Sequence, residues 1–429
     1  MLAQGIFAVI LLSAILLFVR NVGKIRRNIL LGRDVDMSDR KGDRFKTMLR
    51  VAFGQSKMGT RPVPAFFHLL IYVGFVLINI EVLEIFFDGL AGTHRAFQPV
   101  LGSFYTFLLG FFEVLGLFVL IACVAFLYRR HVQRVGRLTM PELKGWPQKD
   151  ATTILVIEIV LMVALFVMNA ADRSFQLSTA GTMPVSSFIA PFFDNTGDAT
   201  LSLIERGAWW FHILGILAFL NYLPYSKHFH IILAFPSTWY SRLEPKGSFA
   251  NLETVTTEVQ LMMDPAAAVP DGYEPPTSFG AKDVQDLSWK NLMEAYSCTE
   301  CGRCTAVCPA NITGKLLSPR KVMMDTRDRV EEVGKNMDAN QGVFVDDGKN
   351  LHNLISKEEL WACTTCNACA EACPININPM EIIFQMRQYL VMEKSEAPGE
   401  LNNMFNNLEN NGAPWQFSPA DRANWTRES

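Results

Sequence analysis

Residues 298–309 read Cys298-Thr-Glu-Cys301-Gly-Arg-Cys304-Thr-Ala-Val-Cys308-Pro309, and residues 363–374 read Cys363-Thr-Thr-Cys366-Asn-Ala-Cys369-Ala-Glu-Ala-Cys373-Pro374. Both follow C-x2-C-x2-C-x3-C-P. Cysteines at i, i+3 and i+6 can curl around one cubane iron–sulfur cluster and hold three of its irons. The fourth cysteine is offset by one residue, and the proline behind it redirects the chain. Zinc sites commonly use separated CxxC pairs, and disulfides need an oxidising compartment. Two 4Fe-4S clusters are therefore expected, and with them electron transfer. Eight of the nine cysteines lie in these quartets. The ninth, Cys123, sits in an apolar stretch and reads as core filler.

Upstream of the quartets the composition changes. Half of the 429 residues are hydrophobic, and the first 240 hold most of the apolar runs. Five segments, about 2–19, 64–87, 100–128, 151–170 and 207–233, are long enough to cross a bilayer as helices, which takes roughly 20 residues. The fold class expected is mainly α: a five-helix membrane bundle followed by a helical two-cluster domain. The first segment lacks a basic n-region and a small-residue cleavage site, so it reads as a retained anchor. Residues 20–61 hold twelve Lys/Arg and residues 129–149 hold six, against one (Arg95) in 88–99 and two (Arg173, Arg206) in 171–206. The positive-inside rule then puts the N-terminus outside and the cysteine-bearing half in the cytoplasm. The formal net charge of −3 suggests no nucleic-acid partner.

Histidines inside apolar helices are costly and usually functional. His68 lies near the inner end of segment two, and His212 near the outer end of segment five. His228 and His230 close the inner end of that fifth segment. Eighteen residues separate His212 from His230, five turns of a continuous helix, which would put both on one face about 27 Å apart. Pro224 is the residue that would break that phase. The pattern predicts b-type haem, one or two per chain. Buried carboxylates (Glu81, Glu84, Glu113, Glu158) are candidate relays for quinone protons.

The stretches FFHLLIYVGF (66–75) and FHILGILAFLNYLPYSKHFH (211–230) resemble the five-helix di-haem cytochrome b subunit of respiratory nitrate reductase and the cytochrome b subunit of membrane heterodisulfide reductase. That resemblance implies an inner haem held by His68 and His230 and an outer haem held by His212. The expected second outer ligand, ten residues beyond His68, is Ile78 here, a departure from the family pattern. His94, in the outer loop, is the substitute the sequence offers. His131 belongs to a basic inner loop and reads as solvated.

The phrase ELWACTTCNACAEACPININP (359–379) is similar to the two-cluster ferredoxin-type domains of heterodisulfide reductase C-subunits and of glycerol-3-phosphate and succinate dehydrogenase iron–sulfur subunits. In two-cluster ferredoxins the fourth cysteine ligates the other cluster. The resemblance thus implies Cys298, Cys301, Cys304 and Cys373 on one cluster, and Cys363, Cys366, Cys369 and Cys308 on the other. The domains expected are a membrane cytochrome b-like unit (1–240), an extended Pro-rich linker (241–290), the ferredoxin-type domain (291–395), with a helix after each quartet, and a tail (396–429). The tail is Asn-rich, with little hydrophobic periodicity, and reads as a docking strip for a separate subunit. In related chains such a stretch precedes a catalytic unit built on CCG motifs.

The function expected is a membrane electron-transfer subunit of a quinone-linked oxidoreductase complex. It would join the quinone pool, through haem b and two clusters, to a cytoplasmic CCG-type or flavoprotein partner. Quinone reduction is the preferred direction. No Gly-rich nucleotide motif is present. The alternatives are a non-catalytic iron–sulfur membrane anchor or redox sensor for a soluble complex, and, less well suited to five segments, a transporter.

Overall fold

The computed structural model describes residues 1–178, 183–245, 248–249, 253–264, 266–269, 272–273, 278–416 and 418–427. Among the described residues the one isolated β feature is a parallel bridge between Arg33 and Ser288. Everything else regular is helical.

Five helices are long and apolar enough to cross a membrane. They run Leu2–Ile29, Pro62–Ala91, Ser103–His131, Trp146–Ala171 and Asp198–Tyr222. Large apolar side chains on their outer faces, such as Val9, Leu16, Leu83 and Phe107, are exposed. That surface suits lipid, since a helix satisfies its own backbone and asks nothing of the solvent. Sequential helices pack as neighbours from the second to the fifth, and the first touches both the second and the fifth. The ring is thus closed by the first helix, which lies between the second and the fifth.

The fifth helix is shorter than its apolar run. It ends at Tyr222, and a 3-10 turn follows over Leu223–Tyr225. Pro224 has no N–H to continue the helix. The chain extends at Ser226, whose hydroxyl caps a second 3-10 turn, Lys227–Phe229, by accepting from the His228 N–H. A new helix, His230–Trp239, then begins. The expected continuous helix over 207–233 is therefore corrected, and with it the shared face of His212 and His230.

The soluble part is all helical. Its helices are Trp289–Ser297, Arg303–Val307, Pro319–Ala339, Lys357–Ala362, Ala368–Ala372 and Pro379–Met392. The helices expected after the two quartets are both present. Leu292, Val322, Val330, Leu351, Leu360, Ile382 and Met386 are fully buried in one core. Ala281, Val284 and Leu287 belong to the same core, so the domain starts upstream of residue 291. The stretch 241–290 is also not wholly extended, since it contains the helix Glu253–Met263. The tail departs from expectation too. Residues Gly399–Asn411 form a helix ended by Gly412 at φ 65°, the left-handed C-cap that glycine suits. Leu401, Phe405 and Leu408 fall on one stripe of it.

The soluble core is continuous with the inner end of the bundle. Ile25, Ile29, Phe219, Leu223, Phe229 and Leu233 pack into the same cluster as Leu292 and Met293. Asn28 at the end of the first helix donates to the Tyr296 hydroxyl at 3.1 Å. Lys24 and Arg27 pair with Asp338. Arg320, fully buried, pairs with Glu142 of the loop between the third and fourth helices.

Candidate functional site

Each cysteine quartet is wrapped by the same backbone. A capped helix (Trp289–Ser297 or Lys357–Ala362) delivers the first cysteine. Two left-handed residues follow, Glu300 (φ 55°) and Gly302 (φ 69°) in one quartet, Thr365 (φ 55°) and Asn367 (φ 58°) in the other. These turn the chain so that its cysteines converge. A one-turn helix then carries the third cysteine, and the two such helices pack against each other.

That packing crosses the quartets. The thiols acting on Cys373 are Cys301 and Cys298, and Cys304 feels Cys301, Cys298 and Cys373 before any other. Cys308 in turn stands with Cys363, Cys366 and Cys369. Burial pushes the Cys298 thiol up to about 11, and those of Cys369 and Cys373 up to about 12, with neighbouring thiolates opposing Cys369 and Cys373 further. Such nests need a cation to compensate them, which is the chemistry of an iron-bound thiolate. The residues fit two 4Fe-4S clusters.

The first nest faces the membrane bundle and the second faces solvent. Arg137, in the loop between the third and fourth helices, donates to the Cys301 carbonyl at 3.0 Å. Lys57, between the first and second helices, donates to the Ala370 carbonyl at 3.2 Å and to Asn376 Oδ1 at 3.0 Å. On the far side Cys366 is exposed. A cleft of about 820 Å³ lies at the end of the helix that delivers Cys363, lined by Lys315, Lys357, Trp361, Ala362, Glu396 and Pro398.

The histidines meet this membrane-facing nest. His68 donates from Nδ1 to Gln55 Oε1 at 3.2 Å. His230 donates from Nδ1 to the Lys227 carbonyl at 3.1 Å. Neither Nε2 has a hydrogen bond among the described residues. An imidazole whose Nδ1–H is fixed by a carbonyl and whose Nε2 is free is the usual form of a metal-bound histidine. The pair fits an inner haem. His228 lies 5.5 Å from the His230 ring and 5.3 Å from the Phe219 ring, tilted 32° to it, with Nε2 buried and unpartnered among the described residues.

The supports of this pair lead straight to the nest. Gln55 begins a turn whose Lys57 carbonyl and Thr60 hydroxyl accept from Arg303 at 3.0 and 3.2 Å. Lys227 pairs with Glu300, which Arg327 also holds at 2.8 Å. Burial works against the Glu300 charge, yet Lys227 and Arg327 keep its carboxyl below the usual range. Glu300 and Arg303 flank Cys301. The holder of His68 and the holder of His230 therefore end on the two residues around one cysteine.

The other residues that the sequence singles out fall elsewhere. Cys123 is fully buried among apolar side chains. His131 is exposed and bonds Thr152 at 2.9 Å. His212 is buried, with Nδ1 donating to the Leu161 carbonyl at 3.0 Å. His94 departs from expectation: Nε2 donates to Asp172 at 2.9 Å and Nδ1 accepts from Arg206 at 3.0 Å, so neither nitrogen is free for iron. Gln55, Lys227, Glu300 and Arg303 carry no motif of their own. One signal was available: positions 300 and 303 are charged, whereas their equivalents in the second quartet, Thr365 and Ala368, are not.

Residues 297–377 match the model of a 4Fe-4S dicluster domain, and residues 256–313 match another of the same description. Over 99% of its length the chain is similar to the probable iron-sulfur-binding oxidoreductase FadF of Bacillus subtilis (strain 168), at 27% identity and over 61% of that protein. It is 26% identical over 99% of its length to the EtfAB:quinone oxidoreductase of Syntrophomonas wolfei, covering 60% of it. A probable membrane-anchored ferredoxin of Chromohalobacter salexigens is 32% identical over 35% of the chain and 24% of that protein. The chain thus spans about 60% of the length of the first two relatives. No solved structure matches.

Proposed function

We propose that this chain is a membrane electron-transfer subunit linking the quinone pool, through haem b and two 4Fe-4S clusters in series, to a cytoplasmic redox partner. The observation that carries it is the convergence of the His68 and His230 supports on Glu300 and Arg303, around Cys301. The name of one relative, EtfAB:quinone oxidoreductase, supports quinone at one end and a flavoprotein at the other. When bound, haem and clusters supply one-electron exchange.

The chain's own residues do the positioning. Gln55 and Lys227 fix the tautomer of His68 and His230. Arg137 and Arg303 place positive charge beside Cys301, and Arg387 does the same at Cys363, donating to its carbonyl and lying 4.9 Å over Trp361. The exposed Cys366 and the cleft make the outlet, with the tail helix beside it for docking. The excess of Lys/Arg in the loops at 20–61 and 129–149 supports a cytoplasmic outlet.

The test is optical. Anaerobically purified protein should show a haem b Soret band over broad iron–sulfur absorption, and a menaquinol analogue should reduce the haem. A spectrum with cluster absorption and no haem, or haem inert to quinols, sinks the quinone link.

A further inference from the structure

The inner and outer halves of the bundle are built differently. We infer that this chain holds a single haem, at the inner side, and that its outer half is closed to a second, with His212 acting as a packing residue; the inner haem is that of the proposed function, on which this rests.

A second haem needs two ligands and a slot between the second and fifth helices; the outer half offers one imidazole, His212, whose Nδ1 is held by the Leu161 carbonyl, but no second ligand and no slot. Ile78, ten residues beyond His68, is no ligand and is buried in the apolar cluster that also holds Tyr105, Leu109 and Phe112. His94 has both nitrogens committed, and its partner Asp172 is held by more than His94. Asp172 also accepts from Arg95 Nε at 2.9 Å and from the Phe175 N–H at 3.0 Å. Arg95 continues to Asn169 at 3.0 Å, and Asn169 to Glu113 at 3.1 Å. Glu113 ends the chain by accepting from the Val185 and Ser186 N–H groups at 2.9 and 3.0 Å. Using His94 as a ligand would take from it the Asp172 and Arg206 bonds that hold the ring, and from Asp172 one of its three partners.

The slot itself is filled. Val82 and Ile85 of the second helix, Trp209 and Ile213 of the fifth, Phe7 of the first and Leu165 and Met168 of the fourth form one buried cluster. The Phe7 ring lies 5.6 Å from Trp209 and 5.9 Å from Trp210. It also sits against Gly89, where a Cβ would come within 2.5 Å of it. Interiors packed to this density do not open for a porphyrin without losing those contacts. The inner half has the opposite character: two imidazoles with free Nε2 atoms and a buried His228 Nε2 without a partner among the described residues. Quinone exchanging electrons with the haem is therefore expected in the inner half.

The experiment is a cofactor count on the full-length protein and on His68→Ala and His212→Leu. Pyridine haemochrome against non-haem iron should give one haem per about eight irons in the unmodified protein. That ratio should persist in His212→Leu and fall to zero haem in His68→Ala, with a single one-electron haem wave in redox titration. Two haems per chain, two waves, or loss of a haem component confined to His212→Leu overturns the inference and leaves the electron-transfer reading standing. No haem at all beside intact clusters overturns the inner-haem reading, and the inference with it. The count on unmodified protein decides even where a variant does not accumulate.

Discussion

Gln55 contributes nothing visible to the sequence pattern, yet its Oε1 sets which nitrogen of His68 is free. Partners of this kind typically change metal affinity by about 10- to 100-fold when removed. Gln55→Leu should accordingly weaken haem retention within that range and shift its potential, while Gln55→Asn, keeping the amide, should restore part of both. Haem retention under gel filtration and a spectropotentiometric titration would show it; an unchanged potential in Gln55→Leu would remove the orienting role. Asp347 makes a residue-scale prediction about pH. Its hydrogen bonds from Arg329 draw its carboxyl down to about 2. A carboxyl lowered on folding adds stability that is full above its unfolded value, near 4, and is lost as pH falls towards 2. Asp347→Asn should lower the melting temperature of the soluble part at pH 6 and make no difference at pH 2. His68 and His230 were visible as candidates because ionisable groups stand out in apolar runs. Gln55, Lys227 and Glu300 were not, because a polar residue in a polar loop shows its role only once its partner is known.

At the scale of elements, the two quartets and the helices behind them were readable, since three ligands within seven residues must share one metal centre. The one-turn helices Arg303–Val307 and Ala368–Ala372 pack on each other, which suits the proposed exchange of the fourth cysteines between clusters. Cys373→Ser should therefore damage the cluster held by Cys298, Cys301 and Cys304. EPR of the reduced variant should lose or alter that signal alone; loss of the other signal would show uncrossed ligation. The helix Pro319–Ala339 docks on the first helix at Gly334, where a Cβ would meet the Asn28 side chain at 2.5 Å. Gly334→Val overpacks that contact, at about 1–3 kcal/mol. It should raise proteolysis between the bundle and the soluble domain while both clusters remain. The fifth helix is where pattern reading went astray. Hydropathy runs through Pro224 without a change, but the backbone hydrogen-bond ladder does not.

For the whole molecule, the first helix closes the ring of spans and its inner end ties the soluble domain to the bundle through Asn28, Arg27 and Lys24. Membrane and cluster units should then move as one body. The tail lies outside that body, with Phe405, Leu408, Trp415 and Trp425 exposed. Truncation after Lys394 should release the soluble partner in a pull-down and leave iron content and haem spectrum unchanged. Retention of the partner by the truncated protein would remove the docking role.

The sequence by itself determined the number of apolar spans and the presence of two iron–sulfur ligand sets. Both are written in spacings of a few residues, where chain geometry leaves little freedom. Tertiary structure decided which cysteines stand together, that Gln55 and Lys227 reach the surroundings of Cys301, and that the outer half of the bundle is filled. Those contacts join positions from some tens to more than 240 residues apart. Only the packing of whole helices, with its demand that buried polar groups find partners and that space be filled, selects among the ways such positions could meet.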